Sequence, residues 1–168
     1  ANYLIKKKIV KKFHEPHPCS EETLKRAHSE DYIKNVKNKT LDKNSIKKIG
    51  FPLVDSVIKR SLVATGGTVL ASKLAINNGL ACNTAGGSHH ANFEEGAGYC
   101  VFNDVAVAAQ YLLDRGLAGR ILIVDLDVHQ GNGNSDIFKD NRNVFTFSMH
   151  SKTNYPAKKS ISDLDVEL

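Results

Sequence analysis

The feature that most constrains the fold is the apolar segment Ile121–Val124, because it is followed directly by Asp125, Asp127 and His129. A short apolar run of this kind is typical of a strand buried in a parallel sheet. Carboxylates at the end of a buried strand are costly unless they are paired or bind a cation. Side chains alternate along an extended chain, so the three polar side chains are expected to point to one side. The alternative is a polar loop in which they only cap the backbone.

Strand and helix patterns alternate along the chain, and this order predicts an α/β fold with a mainly parallel sheet. The predicted strands cover residues 80–84, 120–124 and 144–148. The predicted helices begin after Ser20, Ser29 and Asn103, and two more span residues 54–76 and a short stretch near 136–138. In parallel sheets, ligands bind at the carboxyl ends of the strands, where the polar residues of this chain lie.

Two segments carry weaker signals. Residues 41–50 are polar and are predicted to form a loop. The pair Gly66-Gly67 lies inside the long helical pattern, where glycine is costly, and it predicts either close helix packing or a break in the helix.

Two glycine-containing motifs lie upstream of the Asp125 segment. In the first, His89 and His90 follow Gly86-Gly87, and such histidines can be metal ligands, general bases or surface loop residues. Beside a metal site they become candidates for acid–base chemistry. In the second, residues 96–103, the glycines permit close backbone approach and Tyr99 offers a flat apolar face. The alternative for the second motif is a tight turn with a core aromatic side chain.

The composition, with 41% hydrophobic and 24% charged residues, is that of an ordinary soluble globular chain. No apolar run approaches the roughly 20 residues that span a bilayer, and the first residues do not resemble a signal peptide. Three widely spaced cysteines favour a reducing compartment, and we expect the cytoplasm. Residues 1–60 carry 15 Lys and Arg against 7 Asp and Glu, and the remainder carries 8 against 11. This asymmetry indicates either an anionic partner or, as we favour, a solvated lysine-rich surface.

The chain resembles the histone deacetylase and acetylpolyamine amidohydrolase family in three motifs, which read GGSHHA, GAGYCVFNDVAVAA and ILIVDLDVHQGNG in that order. The HQGNG ending, an upstream IGFP segment and a TGGT segment are most similar to the class IV branch and its bacterial relatives. The resemblance runs from about His17 to the end. It implies a three-layer αβα fold of the arginase–deacetylase type, with residues 1–168 forming one partial catalytic domain that is incomplete at both ends.

The resemblance also implies metal sites. Asp127 and His129 match two of the family's three zinc ligands, while the third ligand and a tyrosine that polarises the substrate carbonyl have no counterpart here. The late acids Asp163, Asp165 and Glu167 match a segment upstream of that third ligand. A structural potassium ion is implied as well, held by the Asp125 side chain and mainly by backbone carbonyls. These carbonyls belong to Asp125, Asp127, His129, Ser148 and Met149.

The remaining family roles fall on the paired histidines and their neighbours. His90 matches the principal general base and acid, oriented by Asn132, and His89 matches the second histidine, backed by Asp125. Many relatives carry Asp at the position of Asn132, so His90 is expected to be less basic here. The aromatic and glycine residues that match the walls of the acyl-lysine tunnel are Gly98, Tyr99 and Tyr155.

The implied function is zinc-dependent hydrolysis of an N-acyl-lysine or a related N-acyl amine. The class IV branch suggests a long acyl chain, and the bacterial relatives suggest acetylpolyamine. The alternative is a catalytically inactive fragment or a binding module, since only two zinc ligands are visible, and the 168 residues alone are not expected to catalyse the reaction. Direct nucleic-acid binding rests on charge alone and is not expected.

Overall fold

The structure, a computed structural model, describes residues 2–8 and 13–168. These residues form seven α-helices and three β-strands. The helices are α1 (Asn2–Lys6), α2 (Glu21–Leu24), α3 (Glu30–Asn38), α4 (Lys43–Ile49), α5 (Asp55–Asn78), α6 (Asp104–Asp114) and α7 (Asn132–Phe138). The strands are β1 (Ile121–Asp125), β2 (Val144–His150) and β3 (Leu164–Glu167).

The three strands form one parallel sheet in the order β1-β2-β3. Ile121 lies opposite Val144 and Asp125 lies opposite Ser148, so the polar end of β1 meets the second half of β2. The parallel sheet and the strands predicted at 120–124 and 144–148 are confirmed, but the burial predicted for the first strand is wrong, because Ile123 is the only buried residue of β1. The sequence analysis missed β3, because its four residues, LDVE, are too short and too polar to give a strand signal.

One face of the sheet is buried against helices. Ile123 and Val144 belong to the hydrophobic core, together with Val107 of α6 and Phe138 of α7. Residues that alternate with these on β1 and β2 point the other way, and among them Leu122, Val124 and Phe145 are exposed by 62%, 53% and 46%. The core therefore lies on the helix-covered side of the sheet, as the alternation of side chains requires.

Three helices begin at the predicted caps. The Ser20 side chain accepts a hydrogen bond from the amide of Thr23, and the Ser29 side chain accepts one from Tyr32. Asn103 caps α6 by accepting from the Ala106 amide at 2.9 Å. Such caps satisfy amides that have no partner within the helix, which explains why these starts could be predicted from local sequence.

The loop predicted at residues 41–50 is wrong, because this segment forms α4. The Asp42 side chain caps the helix by accepting from the amides of Asn44 and Ser45, and Gly50 ends it with a φ of 85°. Ile49 is fully buried, while the lysines of the helix face solvent. The many lysine and asparagine residues made the segment look like a loop, because Ile46 and Ile49 are the only apolar residues of the helix.

The strand predicted at residues 80–84 is also wrong. The segment ends in a turn at Thr84 and forms no ladder with the described strands, and Leu80 is 79% exposed. Its main attachment is the Asn83 side chain, whose amide donates to the Ala64 carbonyl and the Thr68 hydroxyl of α5 at 3.0 and 2.8 Å. A short apolar run gives a strand only where a neighbouring strand pairs with it.

The Gly66-Gly67 pair marks close packing, and α5 continues through it without a break. A Cβ at Gly66 would clash with the carbonyl oxygen of His17, and a Cβ at Gly67 would lie 2.9 Å from the Asn83 amide nitrogen. The Cys19 amide donates to the Leu62 carbonyl at 2.9 Å beside this contact. The glycines therefore admit two loop segments to the helix surface. Within residues 2–8 and 13–168, no helix is both long and apolar enough to cross a membrane.

Candidate active site

The loop that follows β1 is shaped by its own carboxylates. Asp125 is the last residue of β1, and its Oδ1 accepts a hydrogen bond from the Asp127 amide at 3.0 Å. Oδ1 of Asp127 in turn accepts from the His129 amide at 2.8 Å. Each acidic side chain thus folds back on the backbone two residues later, as is common for Asp in turns.

These turns bring the Asp127 and His129 side chains together. Nδ1 of His129 lies 2.9 Å from Oδ1 of Asp127, and the two side chains are 38% and 50% exposed. Although burial alone raises the pKa of Asp127, the His129 amide and the neighbouring imidazoles hold it below its usual value. The carboxyl group is therefore ready to act as an anionic ligand.

The donor set fits zinc, which binds carboxylate oxygen and imidazole nitrogen. Two ligands of a tetrahedral zinc ion lie roughly 3.3 Å apart, close to the observed separation of Asp127 and His129. No cluster of three or more His, Cys, Asp or Glu suited to a metal ion occurs in the part of the chain that the structure describes. Asp127 and His129 are therefore able to supply two of the ligands that a zinc site needs.

His89 lies between two carboxylates. Its Nδ1 is 2.6 Å from Oδ2 of Asp125, and its Nε2 is 4.0 Å from Oδ1 of Asp127. The side chains of His89 and Asp125 are only 9% and 11% exposed. The expected contact between these two residues is present, and it turns the second ring nitrogen toward the Asp127–His129 pair.

His90 is buried beside it and contacts a neutral partner. Its Nδ1 lies 2.7 Å from Oδ1 of Asn132, as expected, and its ring centroid is 4.1 Å from that of His89. Burial, followed by the nearby His89 ring, lowers the pKa of His90 to about 4, whereas the Asn132 contact acts in the opposite direction. His90 is thus less basic than an ordinary histidine, and burial is the main cause. That Asn132 makes it less basic than an aspartate partner would stays a prediction.

Two glycines of the HQGNG segment make room for these contacts. A Cβ at Gly131 would clash with the Asp125 carboxylate, and a Cβ at Gly133 would clash with the carbonyl oxygen of Ala91. The Gly133 amide also donates to the His89 carbonyl at 2.9 Å. The start of α7 therefore packs directly on the histidine loop, which explains the glycine spacing of the motif.

Two of the three residues predicted to form a tunnel, Gly98 and Tyr155, lie against His90. The His90 and Tyr155 rings meet edge to face with centroids 4.8 Å apart, and a Cβ at Gly98 would lie 2.5 Å from Cδ2 of His90. Tyr99 is 68% exposed and has a φ of 65°, which is unusual for a residue other than glycine. Phe51 packs on the Tyr99 ring with centroids 5.1 Å apart. Sequence reasoning missed Phe51, although the IGFP segment that contains it was one of the motifs of the resemblance.

The residues predicted to hold potassium lie at the end of β1, just after it and on the neighbouring strand β2. Ser148 is buried opposite Asp125 across the β1–β2 ladder. Its hydroxyl accepts from the Gly131 amide at 3.3 Å and lies 3.0 Å from Nδ1 of His150. Met149, the next residue of β2, is half-buried. The potassium role of these residues stays a prediction.

Two polar residues at the start of α6, Asn103 and Asp104, are fully buried. Asn103 was predicted only as the cap of the helix, and Asp104 was missed. The Asp104 carboxylate accepts from the amide of Ser88 at 2.7 Å, and the Asn103 side chain donates to the Ala91 carbonyl at 3.0 Å. The segment Phe102-Asn103-Asp104 belongs to one of the motifs of the resemblance, and this was the sequence feature that pointed to these residues.

Cys100 is buried, and burial raises its pKa to about 11, so its thiol is not a nucleophile poised for reaction.

Comparison with known proteins identifies the family of this arrangement. The histone deacetylase domain model matches residues 1–167. An uncharacterised protein of Picosynechococcus is 50% identical over 145 residues, which is 86% of this chain and 48% of that protein. Histone deacetylase 2 of Arabidopsis thaliana is 32% identical, covering 92% of this chain and 40% of that protein. Human histone deacetylase 1 is 31% identical, covering 97% of this chain and 36% of that protein.

Solved structures give the same assignment. Crystal structures of a histone deacetylase homologue from Aquifex aeolicus and of one complexed with SAHA each superpose with a TM-score of 0.77 at 29% identity. In both cases the match covers 90% of this chain and 46% of the solved chain. The chain thus spans less than half the length of the relatives named here, and it has the three-layer αβα fold of the arginase–deacetylase type that was predicted. On the family model, the motifs and the fold, the chain belongs to the histone deacetylase family.

Proposed function

We propose that the protein containing this chain is a zinc-dependent hydrolase that removes an acyl group from an N-acyl-lysine or a related N-acyl amine. The observation that supports the proposal best is the meeting of two histidines, each with its own polar partner, beside the Asp127–His129 pair. A histone deacetylase domain covering the chain supports the hydrolase class.

Asp127 and His129 are the two ligands that this chain would contribute to zinc. When bound, the metal would supply a Lewis acid for the amide carbonyl and would bring the pKa of a water molecule toward ~7. Asp127 contributes negative charge, and His129 contributes a neutral nitrogen whose orientation is fixed by the backbone turn. We also propose a structural potassium ion, held by Asp125, Ser148 and Met149.

The histidines are proposed to handle protons. Because Nδ1 of His89 faces Asp125 and Nδ1 of His90 faces Asn132, each ring keeps Nε2 free for proton transfer. His90 is buried and its pKa is lowered to about 4, so it is neutral at physiological pH and able to accept a proton. We assign His90 as the principal base and acid, with His89 as the second histidine, and such groups typically contribute about 10²–10⁴ in rate.

The aromatic residues are proposed to receive the acyl chain. Tyr155 contacts the His90 ring directly, and Tyr99 presents an exposed face that Phe51 supports from behind. Apolar rings at this position would exclude water from the scissile amide and would hold the acyl-lysine side chain near His90.

The alternative function is binding without catalysis, because only two zinc ligands are found among the described residues. The test is to purify the complete protein, load it with zinc and assay acetyl-lysine, long-chain acyl-lysine and acetylpolyamine substrates, with SAHA as an inhibitor. Hydrolysis that SAHA inhibits and that His90→Ala reduces by about 10² or more would support the enzyme. Binding of acyl-lysine peptide with no turnover of any of the three substrates would favour the binding module. Fractionation of cells would test the proposed cytoplasmic location.

A further inference from the structure

The loop that carries the paired histidines, residues 86–91, has one backbone hydrogen bond of its own, from the His89 amide to the Gly87 carbonyl at 3.0 Å. Its other backbone attachments come from the start of α6 and from α7. At its beginning the amides of Gly87 and Ser88 donate to one carboxylate, and at its end the Ala91 carbonyl accepts from one carboxamide. Both partners lie at the start of α6, which suggests that this helix end sets the position of the loop.

Asp104 supplies the carboxylate. It is 1% exposed, and its oxygens accept from the Gly87 amide at 3.1 Å and from the Ser88 amide at 2.7 Å. The Thr68 hydroxyl of α5 is a third donor to the same carboxylate. A buried carboxylate is costly unless its oxygens are satisfied, and here two loop amides and one hydroxyl satisfy them.

The residues around Asp104 leave no space for a side chain at Gly86, the first residue of the loop. A Cβ at Gly86 would lie 2.5 Å from the Asp104 carboxylate and 2.7 Å from the Thr68 hydroxyl, so only glycine fits there. The Asn83 amide donates to the same hydroxyl at 2.8 Å. Thr68, the second threonine of the TGGT segment, thus links α5 to Asp104 of α6 and to Asn83, which precedes the loop.

Asn103 supplies the carboxamide at the other end of the loop. Its Nδ2 donates to the Ala91 carbonyl at 3.0 Å and to the Asn134 side chain of α7 at 2.9 Å, and the residue has no exposed surface. Asp104, the first residue of α6, and its cap Asn103 therefore hold the backbone on either side of His89 and His90.

We infer that Asp104 is a positioning residue, which with Asn103 fixes the backbone of residues 87–91 so that the His89 and His90 rings meet Asp125 and Asn132. The expected effect of Asp104 on catalysis rests on the proposed function, whereas its expected effect on the positions of the His89 and His90 rings does not. An amide at position 104 would turn an NH2 group toward backbone donors, and the loop would move to relieve the contact. A misplacement on the order of 1 Å can cost an enzyme about 10²-fold in rate.

The test compares Asp104→Asn with Asp163→Asn in the complete protein. Asp163 is a matched control, because its carboxylate also accepts from a backbone amide and a threonine hydroxyl, both of Thr146, at 2.7 and 2.9 Å. The first readout is the ¹⁵N NMR spectrum of the imidazoles, which reports the tautomer and hydrogen bonding of His89 and His90. The second readout is the separate measurement of kcat and KM on an acyl-lysine peptide.

We expect Asp104→Asn to shift or broaden the signals of both rings and to lower kcat by about 10²-fold with little change in KM. Asp163→Asn is expected to change neither the ring signals nor kcat. Equal effects of the two variants, or unchanged ring signals in Asp104→Asn, would overturn the inference. If Asp104→Asn does not fold, Thr68→Val removes one donor while keeping the shape, and it should shift the same two ring signals. If wild-type protein hydrolyses no acyl amine, the proposed function fails, but the ring signals still decide whether Asp104 positions the histidines.

Discussion

Nδ1 of His89 lies 2.6 Å from Oδ2 of Asp125, although the two residues are 36 positions apart in the chain. The same carboxylate accepts the Asp127 amide through its other oxygen, Oδ1. Asp125 thus orients a proposed proton-transfer group on one side and the loop of a proposed metal ligand on the other. A carboxylate in such a place fixes the tautomer of the imidazole that it contacts.

Replacing Asp125 by alanine is expected to lower kcat strongly without unfolding the protein. The His89 ring would lose its orienting partner, and partners of this kind typically contribute about 10–100-fold to activity or metal affinity. Steady-state kinetics and far-UV circular dichroism of Asp125→Ala in the complete protein test this expectation. Wild-type turnover in a folded variant would refute the assigned pairing.

Replacing Asp127 or His129 by alanine is expected to weaken zinc binding, because each substitution removes one of the two proposed ligands that meet in this loop. Isothermal titration calorimetry of the zinc-free complete protein measures the change. Asn132→Ala is the matched control, because Asn132 contacts His90 rather than the two ligands. Zinc affinity that is unchanged in Asp127→Ala and in His129→Ala would exclude these residues as ligands.

The buried His28 is expected to make stability depend on pH. Its Nε2 accepts from the Asn103 amide at 2.9 Å, and burial lowers its pKa to about 4. The unfolded chain, with a histidine pKa near 6.5, binds the proton more readily, so the free energy of unfolding should fall as the pH decreases from about 6.5 to about 4. The fall attributable to His28 is at most about 3 kcal/mol.

Urea denaturation over this pH range measures the effect of His28. His28→Gln keeps an acceptor without titrating and should reduce the dependence, while the part due to His90, whose pKa is also lowered to about 4, should remain. The same substitution at the exposed His14 should leave the wild-type slope unchanged. A slope that is identical in His28→Gln and in wild type would show that other groups cause the pH dependence.

Replacing Gly133 by alanine is expected to disturb the histidine loop. The added Cβ would clash with the carbonyl oxygens of Ala91 and His89, which are backbone atoms and cannot move aside independently. Overpacking of this kind typically costs about 1–3 kcal/mol. Gly119→Ala is the control, because no atom lies within 4 Å of a Cβ there. Thermal melts should show a loss of stability for the first variant and none for the second.

The features that could be predicted from the sequence were those that depend on neighbouring residues. The caps at Ser20, Ser29 and Asn103 accept from amides three positions away, and the apolar run of β1 indicates a strand, although Ile123 is its only buried residue. The turns that bring Asp127 and His129 together are equally local. The contacts of His89 and His90 were expected only from the family resemblance, because their partners are 36 and 42 positions away.

The features that were missed depend on distant parts of the chain. α4 is recognisable from the burial of Ile49 against other segments rather than from its lysine-rich sequence. Residues 80–84 are apolar enough for a strand but have no described strand beside them. Asp104 resembles any acidic residue in the first turn of a helix, and its importance emerges only from the loop amides that lie 16 and 17 positions before it.

The attachment of the histidine loop to three helices has a consequence for how the site forms during folding. Asp127 and His129 are separated by one residue, so a partly folded chain with little fixed tertiary structure can already present both to a metal ion. The contacts of His89 and His90 close long loops and need α5, α6 and α7 in their final places, which makes them late and cooperative events. The proposed metal binding and the proposed proton transfer therefore have different folding requirements, and a chain in which Asp127 and His129 already meet can still lack the contacts of His89 and His90.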